Sequence, residues 1–110
     1  MPNVKIYIDE NLLATRKAAI LAALEPLRRL LCDELTVPPS ACHIVIQPVI
    51  GMAGQPLASL EFQYLSNPER TPERIRNACS VFRDFLTGPL GCSPAIRATP
   101  LDPATYVALK

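Results

Sequence analysis

A proline at position 2, a single histidine and four cysteines are the residues whose types invite a chemical reading. Once Met1 is cleared, as aminopeptidases do before small residues, Pro2 presents a secondary amine whose backbone is fixed by its ring. An α-amino group titrates near ~8 when exposed. An apolar pocket beside a cationic side chain disfavours the ammonium and lowers that value. A base poised near neutrality is what proton transfer α to a carbonyl needs. The competing reading makes Pro2 a simple strand start, a position proline tolerates well.

Other chemistry finds little support. The sequence holds no G-x-x-x-x-G-K-[ST], G-x-G-x-x-G or H-E-x-x-H pattern. His43 lies within a strand-like run, and no nucleophile-elbow glycines flank Ser40 or Ser59. Cys32, Cys42, Cys79 and Cys92 form no C-x-x-C pair, so with one histidine a zinc site is not expected. The cysteines read as free thiols of a cytoplasmic protein. Neither a metal nor a cofactor is expected.

The elements that must position these residues are legible in the hydrophobic periods. Residues 3 to 9 alternate, with Val4, Ile6 and Ile8 against Lys5 and Tyr7, as a half-buried strand does. From about Leu12 the period lengthens. Ile20, Leu24, Leu27, Leu31 and Leu35 form one helical stripe. Pro26 inside it predicts a kink or two helices in series, and Pro38 and Pro39 end it. Residues 42 to 49 read as a second strand, 51 to 56 as a flexible loop, and 57 to 65 as a third strand. Thr71 is a good N-cap and Pro72 a good first helical residue. Ile75, Ala78, Val81 or Phe82, and Phe85 give the second stripe, closed by Gly88 to Ser93. Residues 95 to 101 make a fourth strand.

Strand, helix, strand occurs twice, in pseudo-repeats 2–49 and 57–101, each implying parallel pairing through a right-handed crossover. The expected fold is therefore a single α/β (α+β) two-layer domain spanning 1–110. A four-stranded mixed sheet carries two helices on one face. The other face, with Lys5, Tyr7, Glu61 and Gln63, is either solvated or a partly polar interface. A ferredoxin-like dimer is the competing topology, separated by the parallel pairing of strands one and two.

Composition narrows the partners. At 110 residues the chain buries a modest core, yet 49% of it is hydrophobic and only 19% charged. That excess points to subunit interfaces. The net charge of +1, with no concentrated basic face, argues against nucleic acid. The longest apolar run, Ala18 to Leu24, is too short to span a bilayer. The opening M-P-N-V-K-I-Y-I-D-E alternates like a strand rather than a signal peptide.

Pro2 opening a strand, the doubled β-α-β pattern and the chain length together resemble the tautomerase superfamily, which includes 4-oxalocrotonate tautomerase and macrophage migration inhibitory factor. P-P-S-A-C-H-I-V-I-Q-P is similar to the P-P stretch and following strand of the migration inhibitory factor group. Y-L-S-N-P-E-R-T-P-E-R is similar to the strand-to-helix turn of the 5-carboxymethyl-2-hydroxymuconate isomerase and cis-3-chloroacrylic acid dehalogenase groups. Those groups carry G-R-S there, with the arginine matching Arg70.

The resemblance implies a homotrimer with sites at subunit edges, and keto-enol proton transfer on a small 2-oxo or enol acid. It makes Pro2 the base and Arg70 a holder of substrate carboxylate or carbonyl oxygen. It sets His43 where 4-oxalocrotonate tautomerase has its catalytic arginine. The sequence departs at Leu12, where that enzyme has its other arginine, and at Val37, where the migration inhibitory factor has lysine. Ala98 and Pro100 replace the latter's Tyr and Asn. The carboxylate clamp is thus incomplete, and the alternative is a non-catalytic tautomerase-fold protein that binds a protein or ligand.

Overall fold

The computed structural model describes residues 2–110, so the expected removal of Met1 lies outside the described residues. The chain runs β1 (Asn3–Asp9), α1 (Glu10–Leu35), a 3-10 turn (Pro39–Ala41), β2 (His43–Val49), β3 (Ala58–Leu65), α2 (Pro72–Leu90) and β4 (Ala95–Leu101). The sheet order is β2-β1-β3-β4. β1 pairs parallel to β2 and antiparallel to β3, and β3 pairs parallel to β4. Two β-α-β halves therefore meet along the β1–β3 seam, and the ferredoxin-like order is excluded.

Local chemistry sets the boundaries. The Asp9 carboxylate accepts from the amides of Asn11 and Leu12, so α1 starts at Glu10, two residues before the point where its apolar stripe becomes visible. Thr36 takes a left-handed conformation at φ 54 and ends it. The Thr71 hydroxyl accepts from the Arg74 amide, and Pro72 opens α2 as expected. Gly91, at φ 73, closes α2 after Leu90, so Gly88 and Pro89 belong to the helix rather than to its exit.

The expected break at Pro26 is not where α1 departs from helical geometry. The helix runs through Pro26, which removes a single N–H donor, and its non-helical residue is Arg16 (φ −120, ψ 23). The Arg16 guanidinium lies over Gly91 and reaches the Pro89 carbonyl oxygen at 3.5 Å. A contact between the two halves thus accompanies the distortion.

The alternating strand residues and one stripe of each helix form the core. Val4, Ile6 and Ile8 of β1 meet Leu60, Phe62 and Tyr64 of β3. Over them lie Ile20, Leu27, Leu31 and Leu35 of α1 and Ile75, Ala78, Phe82, Leu86 and Leu90 of α2. The expected stripes shift slightly: Ala23 is buried where Leu24 is only half-buried, and Leu86 takes the place foreseen for Phe85. The Phe82 ring meets Phe62 edge-on at 5.6 Å and 80°, an arrangement contributing about 1 kcal/mol beyond area burial.

The opposite face of the sheet carries no helix. Register places Lys5, Glu61 and Arg97 in one row across it, and Asn3, Gln63 and Thr99 in the next. Tyr7 donates its hydroxyl to the Glu61 carboxylate at 3.0 Å. Among the described residues, no polar or charged residue is fully buried.

Candidate active site

β1 begins where β2 begins and where β3 ends, so one end of the sheet gathers Pro2, His43 and the loop bearing Arg70. Pro2 sits one residue before the Asn3–His43 and Asn3–Gln63 pairs, which sets it level with Cys42 and Tyr64. It continues the buried phase of β1, and its ring is shielded from solvent. Its carbonyl oxygen accepts from the His43 amide at 3.1 Å, extending the ladder by one rung.

The two side chains part company there. Cys42, Ile44 and Ile46 pack toward the helices, whereas His43 is exposed with the opposite parity. Within one chain, then, the Pro2 ring lies on the helix side of the sheet and the His43 ring on the bare side. A ligand touching both must approach from the sheet end, or take one of them from a second chain.

Arg70 is bonded in a way its sequence neighbourhood does not reveal. Asn67 forms a turn, its side-chain oxygen accepting from the amides of Glu69 and Arg70. That turn folds the guanidinium back: Nη1 donates to the Leu65 carbonyl at 2.6 Å and Nη2 to the Leu35 carbonyl at 2.8 Å. Leu35 is the last residue of α1, whose final carbonyls lack intrahelical partners and whose last turn has no basic residue of its own. Arg70 provides both the donor and the positive charge for that helix end. Two of its five N–H groups are so used, and Arg70 lines a recess of about 70 Å³ with Glu34, Thr36, Asn67, Glu69 and Arg74.

The level of Pro2 carries two further residues, Tyr64 and Cys42, whose neighbours the sequence patterns did not reveal. The Tyr64 ring is buried beside Phe62, their centroids 5.9 Å apart. Cys42 Sγ lies 3.4 Å from Cys32 Sγ. No spacing motif links these cysteines, because residues 33–41 double back from the helix end to the strand start. A second recess, about 80 Å³, lies on the bare sheet face between Asn3, Lys5, Glu61, Gln63 and Thr99. Among the described residues no group of three or more metal-ligating side chains occurs, and no helix is long and apolar enough to cross a membrane.

No family model matches the sequence, and no curated protein matches it. Solved structures do match. A fused 4-OT (4-oxalocrotonate tautomerase) solved as a symmetric trimer aligns with TM-score 0.74 and 13% identity, over 98% of this chain and 92% of that one. The macrophage migration inhibitory factor-like protein of Entamoeba histolytica aligns with TM-score 0.71 and 12% identity, over 98% and 95%. A protein solved after inactivation by 2-oxo-3-pentynoate aligns with TM-score 0.71 and 18% identity, over 96% and 90%. At such identities the likeness establishes the architecture: the chain has the tautomerase-superfamily fold along nearly its whole length.

Proposed function

We propose that the protein is a tautomerase, moving a proton between carbon and oxygen of a small 2-oxo or enol acid, with Pro2 as the base once Met1 is removed. The observation that carries this reading is the placement of Pro2. It opens the first strand of a tautomerase fold, with its ring shielded from water at the sheet end that also holds His43 and Arg70. An apolar setting disfavours a charged secondary ammonium, which is the condition for a base near neutral pH once Met1 is removed.

Arg70 contributes fixed positive charge at the same end, where N–H groups not spent on Leu35 and Leu65 can meet a substrate carboxylate. His43 orients the substrate from the bare face. Because the Pro2 and His43 rings lie on opposite sides of one sheet, the substrate reaches both from the sheet end or takes one of them from a second copy. The assembly is a homotrimer. Support for it comes from the trimeric fused 4-OT neighbour and from apolar side chains left in solvent, among them Ile50, 84% exposed, and Leu109, 95% exposed. No cofactor takes part in this chemistry, and no nucleic acid or membrane partner is invoked.

The non-catalytic reading is favoured by one observation: both Nη atoms of Arg70 already serve backbone carbonyls. Trapping with 2-oxo-3-pentynoate separates the two. The alkyne conjugated to its ketone adds an amine nucleophile, and the reading predicts an adduct mapped to Pro2, apart from any on the free cysteines, in protein whose N-terminus is verified by mass. Absence of that adduct in protein bearing a free proline rejects it.

A further inference from the structure

The contact between Cys32 and Cys42 is not used by the proposed proton transfer, and two turns of the fold bring it about. Cys32 lies in the last turns of α1, where its carbonyl accepts from the Val37 amide. Cys42 follows the Pro39–Ala41 turn, its own amide donating to the Pro39 carbonyl. These hydrogen-bonded turns hold the sulfurs 3.4 Å apart, and both side chains are half-buried rather than sealed in the core. Cys79 and Cys92, also free, have no such sulfur neighbour among the described residues.

We propose that Cys32 and Cys42 form an oxidisable pair whose disulfide staples the end of α1 to the start of β2 beside Pro2. The oxidant is a small peroxide. The Cys32 thiolate attacks one peroxide oxygen, breaking the O–O bond and leaving a sulfenic acid and water. The Cys42 sulfur then attacks the sulfenic sulfur, and the oxygen departs as a second water with the Cys42 proton. Two electrons pass from the sulfurs to the peroxide, and both thiol protons end in water. Burial and the neighbouring Cys32 sulfur push the Cys42 thiol up to about 12, so Cys42 brings its proton to the second step and the departing oxygen carries it away.

The consequence is local. The Cys42–His43 junction leads into the amide that binds the Pro2 carbonyl, so the staple fixes the segment carrying that bond. Closing the loop between the two residues also restricts the unfolded chain and stabilises the folded one.

The test uses the whole protein, treated with hydrogen peroxide, alkylated and digested with trypsin. Residues 30–70 contain both cysteines and no internal Lys or Arg, whereas Cys79 and Cys92 fall in residues 77–83 and 84–97. The expected result is a 30–70 peptide lighter by two hydrogens and carrying no alkyl group. It is accompanied by a raised Tm that dithiothreitol reverses and that C32S and C42S both lose. The proposal is overturned if both thiols of that peptide are alkylated after oxidation, or if the Tm rise persists in C32S. Neither readout depends on turnover, so its failure is distinct from failure of the tautomerase reading.

Discussion

Arg70 donates from Nη2 to the carbonyl oxygen of Leu35 at 2.8 Å, joining the entrance of the second helix to the exit of the first. Arg16 makes the reciprocal approach, from α1 to the Pro89 carbonyl in the last turn of α2, at the longer distance of 3.5 Å. Neither helix has a basic residue in its own last turn. Each half of the pseudo-symmetric fold therefore supplies an arginine to the negative end of the other half's helix.

R70M removes both carbonyl bonds and the charge at the end of α1. The expected loss is about 2 kcal/mol of unfolding free energy, from charged hydrogen bonds at a partly solvated site. R70K keeps the cation but cannot fork to Leu35 and Leu65 together, so it recovers only part of that loss. Urea denaturation of the three proteins measures both effects. Equal stability of R70M and wild type would contradict the capping role.

Gly91 closes α2 at a positive φ of 73, and a Cβ there would run into the Arg16 guanidinium. G91A therefore strains the backbone by about 1–2 kcal/mol and pushes Arg16 away from the Pro89 carbonyl as well. Thermal unfolding should show a lowered Tm. Gly88 lies inside α2 with open space around it, and G88A is expected to raise the Tm instead.

On the bare sheet face, the hydrogen bond to Glu61 holds the Tyr7 phenol above its ordinary value of 10.0, with desolvation and the Glu61 charge adding to it. The folded chain thus keeps this proton more tightly than the unfolded one. Its stabilising contribution is present below the ordinary tyrosine range and is lost as pH rises through the raised folded value. The difference in urea midpoint between wild type and Y7F should accordingly narrow as pH increases from neutral into the alkaline range. A difference that stays constant with pH would remove Glu61 as the cause.

Much of the scaffold was readable from the chain. Period-two runs at Val4–Ile8 and Ala58–Tyr64, and the stripes through Ile20–Leu35 and Ile75–Leu86, record burial on one face, which is a local property of each element. Arg16 and Arg70 were opaque for the opposite reason. Their partners, Pro89 and Leu35, are 73 and 35 residues away, and a backbone carbonyl leaves no mark in sequence. Pro26 misled because a missing amide proton shows in the sequence, whereas the tertiary contact that accompanies the distortion at Arg16 does not. At the candidate site, alternation located Pro2 and His43 on neighbouring strands. That their side chains face opposite ways depends on the parallel register of Asn3 with His43, which only the fold supplies.

The role of the Pro2 nitrogen is tested most directly by turnover. Wild type with a mass-verified free proline and P2A are assayed on a panel of enol acids and phenylpyruvate-type substrates, with light scattering to follow the proposed trimer. The expected result is an unchanged trimer in which kcat/KM falls roughly a hundredfold to ten-thousandfold, the span attributable to a lost general base. Turnover in P2A equal to wild type would contradict it.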